Sequence, residues 1–319
     1  MRLSLTARVL VLGHGLAACG SQPRALEDSS PAGSALAPLS LAADARMVAI
    51  PAGPTIAGST PEERDAAYRD YARAAGHDAA REHHWFDRES DRHVLQMPAF
   101  QIDLMPVTQA QYAESVATGA VAAPTMDADT WRRQGFAQDF ATQVARFAWH
   151  DGRPPAGRED HPVVLVTYDE AARYCEWRGH VRGEPRRLPT AAEFERAARG
   201  PDGFVYPWGA AFDPSKLDSV AQGPGDTVAA GSYPEGASPF GVLDLAGNVF
   251  QWTATPWAAD PGADRDPSNA RSTGEMTVKG SAWEDYAGLG RGASAHGRGR
   301  GTRHVIVGFR CAGDASRPD

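Results

Sequence analysis

The stretch GVLDLAGNVFQWT, residues 241–253, is one of several turn-forming motifs that follow Gly200. Similar short motifs recur through the second half of the chain, where glycine, proline and tryptophan interrupt any helical or strand period. They are YPWG (206–209), VKGSAW (278–283) and VGFRC (307–311). The pattern predicts that the chain past Gly200 is organised by turns rather than by long regular elements.

The composition supports the same interpretation. The chain has 319 residues, of which 33 are glycine and 24 are proline, and 42% are hydrophobic. This length and apolar content suffice for one large domain or two small ones with a substantial core. The formal net charge of −8 argues against general nucleic-acid binding, which depends on a basic surface.

Regular elements are predicted mainly before Gly200. Residues 47–59 suggest a strand, a turn and a second strand, and residues 93–108 are extended. Four threonines, each followed three residues later by Glu or Gln, form the capping-box pattern that begins a helix. These pairs are Thr60–Glu63, Thr108–Gln111, Thr167–Glu170 and Thr190–Glu193. Because glycine readily closes a helix, we expect three of these helices to end at Gly76, Gly179 and Gly200.

The N-terminus has the pattern of an export signal. Residues 1–18 combine a basic start with an apolar run that is too short to span a bilayer. The run ends in LAAC, which resembles a bacterial lipoprotein box with Cys19 as the acylated residue. An ordinary secretory signal followed by a chance cysteine is the alternative. The pattern predicts a lipid-anchored protein of the bacterial cell envelope, on the periplasmic or extracytoplasmic side.

The rest of the chain divides into three parts. Residues 19–45 are rich in Ser, Ala and Pro and are expected to form a flexible tether. Residues 46–313 would form the folded domain, and residues 314–319 a short tail. Apart from Cys19, the chain contains Cys175 and Cys311. In an oxidising compartment this pair is expected to form a disulfide, with two separate buried thiols as the alternative.

Several motifs together resemble one family. In order they are MVAIPAG, HPVVLVTYDEAARYCEWRG, RRLPTAAEFERAARG, YPWG, GVLDLAGNVFQWT, VKGSAW and GFRCA. They are similar to the sulfatase-modifying-factor family, the formylglycine-generating enzyme domain, from about Met47 to Ala312. The resemblance implies an α+β fold of C-type-lectin-like type with little regular secondary structure. It also supports the pairing of Cys175 with Cys311.

The resemblance fails at the catalytic thiols. Formylglycine-forming members hold copper through two cysteines that lie five residues apart, just after a GGSW/Y stretch. Aligned on KGSAW, these positions are Asp285 and Gly290, and a supporting serine becomes Ala282. Cuprous ion needs thiolate or thioether ligands, so formylglycine formation by this chemistry is not expected here.

Other groups near this segment could supply different chemistry. Glu284, Asp285, His296 and His304 contain the two histidines and a carboxylate that suit non-haem iron, so iron or another redox metal such as copper is considered. Asp285 could instead accept a proton without any metal. The alternative to both is that the acids are solvated and the histidines lie at the surface.

A calcium site is implied by the resemblance. The family's calcium loop matches DLAGNVFQW, which gives Asp244, Gly247, Val249 and Gln251 as the oxygen donors. Gln251 offers a neutral oxygen where a glutamate would offer charge, so the affinity should be reduced. A second family site would lie near residues 217–226, without recognisable ligands. A tight structural turn is the alternative.

The last candidates concern binding. Trp283 could form a pocket wall, and Arg298 belongs to an Arg/Gly loop that could receive a carboxylate, a phosphate or an acidic glycan. A solvated loop is the alternative. His83 and His84 form a pair that lacks further ligands and is expected at the surface.

Two functions follow from these observations. The first is an envelope enzyme, a metal-dependent and oxidase-like catalyst without copper–cysteine chemistry. The second is a non-catalytic, lectin-like binding or assembly module for a protein, peptide or glycan partner.

Overall fold

The computed structural model describes residues 37–257 and 274–315. The α-helices are α1 (Pro38–Asp44), α2 (Pro61–Ala75), α3 (Ala79–Glu82), α4 (Gln109–Ala117), α5 (Ala128–Gln134), α6 (Tyr168–Arg182) and α7 (Ala191–Arg199). The strands are β1 (Val48–Ile50), β2 (Gly53–Ala57), β3 (His93–Met97), β4 (Phe100–Ile102), β5 (Phe250–Pro256), β6 (Glu275–Lys279), β7 (Ala295–Gly299), β8 (Val307–Gly308) and β9 (Ala312–Asp314). The elements are short, as the glycine and proline content predicts, and the α+β fold class is confirmed.

All four predicted capping boxes are present, at the starts of α2, α4, α6 and α7. The helix ends predicted at Gly76 and Gly200 are also confirmed. The end predicted at Gly179 is wrong, because α6 continues to Arg182 and closes at Gly183 with φ 81°. Gly179 serves close packing instead, since a Cβ there would lie 2.7 Å from the backbone nitrogen of Arg186.

The strands form three small sheets with the orders β1-β4-β9, β2-β3 and β7-β6-β5-β8. In the largest sheet β5 pairs antiparallel with β6, and β6 pairs antiparallel with β7. The β5–β8 pairing is parallel. The segment that carries Glu284 and Asp285 leaves the end of β6, and His296 lies on the neighbouring strand β7.

The main core packs around the largest sheet, with Trp149, Trp252 and Phe309 fully buried. The disulfide between Cys175 and Cys311 is present, as predicted, and it joins α6 to the end of the chain. The alternative of two free thiols is therefore excluded.

A helical arm, residues 58–92, connects β2 to β3 and contains α2 and α3. Buried Arg291 fixes this arm through a two-pronged ion pair with Glu89, at 3.0 and 2.5 Å. Tyr71 of α2 also meets Tyr286 edge-on, with ring centroids 5.4 Å apart. These contacts place the arm directly over the segment that carries the predicted site.

The fold begins earlier than the sequence indicates. Helix α1 lies within the predicted tether, and the Asp44 carboxylate forms a buried ion pair with Arg186 at 2.9 Å. The Ser40 hydroxyl lies 3.0 Å from the hydroxyl of Tyr174. The composition of this segment resembles that of a linker, because the partners that order Ser40 and Asp44 lie more than a hundred residues further along the chain. The predicted signal, residues 1–18, and the acylated Cys19 lie outside the described residues, among which no helix is long and apolar enough to cross a membrane.

Candidate active site

A tight turn after β6 fixes the position of Asp285. The backbone N–H of Ala282 donates to the Asp285 Oδ2 at 2.7 Å, and the Asp285 N–H donates back to the Ala282 carbonyl at 3.0 Å. The Asp285 carbonyl also accepts the N–H of Val220 at 3.2 Å. These bonds hold the carboxyl in one orientation, as a reacting group requires.

Asp285 lines a cavity of about 230 Å³ between the arm and the largest sheet. Glu284, His296 and Arg298 line the same cavity. Three of the four candidate chemical groups from the sequence, namely the two acids and His296, are thus brought together. The cavity also has apolar walls that include Trp85, Phe250, Trp257 and Leu289.

The two acids resist ionisation. Burial raises the pKa of Asp285 to about 7, and the neighbouring Glu284 adds to this rise. The Ala282 N–H and the charge of Arg298 oppose it only in part. Burial also raises the pKa of Glu284, against the opposing charge of Arg298. A carboxyl group that is about half ionised at neutral pH can both accept and return a proton.

Two further groups shape the cavity from the sheet. The His296 ring meets Trp85 and Phe250 edge-on, with centroid distances of 6.2 and 5.3 Å. Glu275, at the start of β6, has a buried Oε1 with no hydrogen-bond donor in the structure. A buried acceptor without a donor is costly, so a hydrogen-bond donor in the cavity would stabilise this oxygen.

The arm contributes four cavity residues that sequence reasoning missed, namely His83, His84, Trp85 and Arg88. The histidine pair was expected at the open surface, and both rings do remain largely exposed at the cavity edge. The conspicuous HHWF run was the available signal. No local pattern, however, places it beside residues two hundred positions later in the chain.

His304 is not part of this cavity. Its ring packs against Trp131 and Phe136, with centroid distances of 5.3 and 4.2 Å, and its Nδ1 accepts the N–H of Ile306 at 3.3 Å. The two histidines are therefore not brought together with a carboxylate. Across residues 37–257 and 274–315, no three His, Cys, Asp or Glu side chains are grouped as metal ligands. The described residues do not fit an iron or copper centre.

Only one of the two residues predicted to bind substrate lies at the cavity. Arg298 lines the cavity, whereas Trp283 faces away from it. The Trp283 ring stacks on Phe147 at 6.3 Å, and the Arg146 guanidinium lies 5.7 Å from the Trp283 ring.

The Arg/Gly loop is largely neutralised by ion pairs. Arg291 pairs with Glu89, Arg300 with Asp169, and Arg303 with Glu170. This arrangement gives the loop a structural role and leaves less positive charge for an acidic partner.

The four predicted calcium ligands lie together at the turn before β5, but they do not fit the ion in this conformation. The Gln251 amide Nε2 donates to the carbonyl oxygen of Asp244 at 2.7 Å, and the Gln251 Oε1 accepts from Arg310 Nε at 2.5 Å. The Arg310 Nη2 also donates to the Asp244 carbonyl at 2.8 Å. The Asp244 side chain is engaged as well, because its Oδ2 accepts the N–H of Gly231 at 2.8 Å. Donor groups thus occupy both side-chain oxygens, Gln251 Oε1 and Asp244 Oδ2, that were predicted to bind calcium.

The neighbouring segment fits a cation better. Asp218 is 1% exposed, and neither of its carboxylate oxygens has a hydrogen-bond donor in the structure. Burial, followed by the charges of Asp244 and Asp226, raises the pKa of Asp218 to about 7. Asp218 lies within the segment 217–226, where sequence comparison suggested a second site but no ligands.

The fold defines an α+β scaffold of the formylglycine-generating type, and its cavity is lined by the carboxyl groups of Asp285 and Glu284. The chain belongs to the family described as "Sulfatase-modifying factor enzyme 1-like domain", which matches residues 36–315. The family prediction made from the motifs is therefore confirmed.

Three relatives illustrate the range of the family. The formylglycine-generating enzyme of Mycobacterium tuberculosis is 30% identical over 285 residues, covering 72% of this chain and 92% of that protein. The inactive C-alpha-formylglycine-generating enzyme 2 of Bos taurus is 37% identical over 202 residues, covering 55% and 59%. The hercynine oxygenase of Mycolicibacterium smegmatis is 34% identical over 199 residues, covering 59% and 44%. The chain thus spans about half the length of the last two.

Solved structures support the fold alone. PvdO from Pseudomonas aeruginosa superposes with a TM-score of 0.59 at 21% identity, covering 84% of this chain and 94% of that one. Treponema denticola variable protein 1 superposes with a TM-score of 0.55 at 16% identity, covering 84% and 95%.

Proposed function

We propose that the protein is an enzyme that acts on a small substrate by proton transfer at Asp285, without copper–cysteine oxidation. The observation that carries this proposal is the grouping of Asp285, Glu284 and His296 around one aromatic-walled cavity. The catalytic and oxygenase relatives support an origin in oxidative chemistry. The position of Asp285 at the former thiol site supports a change of mechanism.

The metal-dependent oxidase suggested by the sequence is the less favoured form of this enzyme. It would need a third ligand beside His296 and one acid. His304 packs elsewhere, and the described residues form no such group of ligands, although His83 and His84 line the edge of the cavity. Metal analysis of the purified protein would test this preference, because iron or copper at one equivalent per chain, lost in Asp285→Asn, would restore the metal-dependent form.

In this proposal the side chains have separate roles. The Asp285 carboxylate accepts a proton from the bound substrate, and the Ala282 N–H keeps the acceptor oriented. Glu284 adds negative charge that keeps the pKa of Asp285 high. The aromatic walls exclude water and strengthen the electrostatic interactions inside the cavity.

The cellular location is part of the proposal. Acylation of Cys19 and a tether would hold the folded domain at the surface of an envelope membrane. Labelling with a palmitate analogue tests it directly. We expect the label on the wild-type protein and none on Cys19→Ala, which should appear in the soluble fraction.

Activity is tested with a small-molecule extract of the cells that make the protein, compared by mass spectrometry before and after incubation. We expect at least one compound to change with the wild type but not with Asp285→Asn. Below about pH 7 the rate should rise about tenfold per pH unit and then level off, because the base must be ionised. Asp129→Asn, at an exposed ion pair on α5, is the matched control. If no compound depends on Asp285, the proposal is contradicted.

A binding module is the second candidate, favoured by the loss of both thiols and by the absence of a grouped set of metal ligands in the described part of the chain. It predicts that a ligand binds equally well to the wild type and to Asp285→Asn, and that neither protein changes it.

A further inference from the structure

Arg88 is a positive charge at the cavity wall that has no counter-charge among the described residues. Arg88, on the arm, lies half-buried at the cavity wall with its guanidinium 5.6 Å from the Trp257 ring. No carboxylate of the described residues lies within ion-pair distance of it. The other arginines at this end of the arm differ, since Arg64 pairs with Asp91 and Arg92 pairs with Glu63. A guanidinium without a counter-ion offers two parallel N–H donors to a carboxylate.

The same cavity contains negative charge without donors. The Glu275 Oε1 is buried and accepts no hydrogen bond. Glu284 lines the cavity beside Asp285, and among the described residues no hydrogen-bond donor reaches it. Buried carboxylates of this kind are stabilised by N–H groups, and most strongly by charged ones.

Neither Glu275 nor Glu284 forms an ion pair with Arg88 within the described chain, and the nearby charge of Arg298 opposes the effect of burial on Glu284 only in part. A purely cationic ligand would satisfy the acids but leave Arg88 beside a like charge. A purely anionic ligand would satisfy Arg88 but add to the repulsion among the acids. A ligand that carries both charges satisfies both sets.

The size and walls of the cavity define the rest of the ligand. Its volume of about 230 Å³ lies below the range of about 300–1,000 Å³ that drug-sized ligands occupy. Trp85 and Trp257 offer faces on which an apolar body or an ammonium group can rest. The space therefore suits a molecule of the size of one amino acid.

We propose that the cavity binds a zwitterionic ligand of amino-acid size, with Arg88 receiving its carboxylate and Glu275 its ammonium group. This inference rests on the proposed function, because it names the substrate class of the same cavity. It also assigns the helical arm the role of selecting the substrate, since the arm supplies Arg88 and Trp85.

The test begins with the twenty standard L-amino acids and glycine betaine, each added to the full protein in a thermal-shift assay. The probe that stabilises most is then compared by calorimetry with its decarboxylated amine and with its deaminated acid. We expect the zwitterion to bind at least tenfold more tightly than either single-charge analogue. If no probe stabilises the protein, or if a single-charge analogue binds as tightly, the inference is overturned.

Variants assign the two ends of the ligand. Arg88→Gln should weaken binding of the zwitterion and of the acid at least tenfold but leave the amine unchanged, and Glu275→Gln should weaken the zwitterion and the amine only. Arg69→Gln, an exposed arginine of the same arm outside the cavity, is the matched control. Equal binding by Arg88→Gln and the wild type, with both proteins melting at the same temperature, would overturn the role of Arg88.

The outcomes separate this inference from the proposed function. If a zwitterion binds but no compound changes in an Asp285-dependent way, the proposed function fails alone. If Asp285-dependent conversion is found for a compound that lacks either charge, the zwitterion inference fails alone.

Discussion

The motif resemblance aligns Asp285 with a thiolate position, and an oxygen ligand in place of sulfur would change the available chemistry. A carboxylate is a hard ligand that binds cuprous ion poorly. Buried in a small cavity, however, its pKa of about 7 makes it an effective proton acceptor at neutral pH. A single substitution of this kind can therefore retain the pocket while replacing its reaction.

The raised pKa of Asp285 predicts a pH-dependent stability difference. In the unfolded chain the carboxyl ionises near its ordinary pKa of 3.8, whereas in the folded protein it resists ionisation up to about pH 7. The folded wild type therefore loses stability as pH rises through this window. Asp285→Asn keeps an acceptor for the Ala282 N–H but cannot ionise. We therefore expect the free energy of unfolding of Asp285→Asn, relative to that of the wild type, to increase by about 2 kcal/mol from pH 5 to pH 8. This figure allows for partial solvent contact of the carboxyl group.

Urea unfolding at the two pH values measures this difference. The exposed control Asp129→Asn should show a difference that hardly changes with pH. If the difference in free energy of unfolding between Asp285→Asn and the wild type is the same at pH 5 and pH 8, Asp285 titrates normally and the environment described for it is wrong.

Asp218 predicts a response to calcium. Its buried carboxylate has no donor and is repelled by Asp244 and Asp226, so a bound cation would remove a large electrostatic cost. We expect calcium, at a concentration one hundred times its dissociation constant, to increase the free energy of unfolding by about 2.7 kcal/mol at pH 8. Melting with calcium and with chelator measures the gain. Asp218→Asn should melt at the same temperature in both, and an identical pair of curves for the wild type would contradict the prediction.

Single residues were predictable where neighbours in sequence remain neighbours in space. Glu284 and Asp285 are adjacent, and His296 returns beside them because β7 pairs with β6. His304 lies only eight residues further on, but β7 ends at Gly299 and the chain turns into the main core. Arg88 could not be found from the sequence, since its place depends on how the arm folds back over the sheet.

At the scale of elements, the helical arm determines the shape of the candidate site. Its charged helix α2 has the composition of a solvent-facing helix, and yet Tyr68 and Tyr71 are buried. These tyrosines pack with Phe86 and Leu289 in a separate small core. The arm thus has its own cluster and one strong ionic attachment to the rest of the molecule.

The Arg291–Glu89 pair is predicted to hold the arm in place. Both side chains are almost completely buried. Removal of one partner leaves an uncompensated buried charge and should reduce the free energy of unfolding by about 3–5 kcal/mol. We expect Glu89→Gln to increase hydrogen exchange most strongly in residues 58–92, as measured by mass spectrometry. Arg92→Gln, which breaks the more exposed pair with Glu63, is the control. A uniform increase across the chain would show that the pair stabilises the whole fold instead.

Helix starts were predictable and helix ends were less so, for a physical reason. The capping boxes involve residues three positions apart, so the sequence contains all their partners. The end of α6 depends on the approach of Arg186 to Gly179, which is a tertiary contact. Helix α1 was missed in the same way, because its partners Arg186 and Tyr174 lie far along the chain.

At the scale of the whole molecule, the middle of the chain is tied to its end. The buried Arg178 guanidinium forms a bidentate pair with Asp103, at 3.0 and 2.6 Å, and the Cys311 N–H donates to the same carboxylate at 2.7 Å. The disulfide between Cys175 and Cys311 lies beside this network. Three segments that are distant in sequence thus meet at one buried point, away from the cavity.

The disulfide is predicted to stabilise the fold without affecting the cavity. It closes a loop with a sequence separation of 136 residues, and the chain-entropy treatment gives about 5 kcal/mol for a loop of this length. We expect the double variant Cys175→Ala/Cys311→Ala to unfold at a lower urea concentration than the wild type, with the free energy of unfolding reduced by up to this amount. Because both cysteines lie in the main core and neither lines the cavity, ligand binding well below the melting temperature should be unchanged. Wild-type protein treated with a reducing agent should match the variant, which separates loss of the covalent bond from loss of packing. Equal unfolding midpoints for the variant and the oxidised wild type would mean that the Arg178–Asp103 network alone holds these segments together.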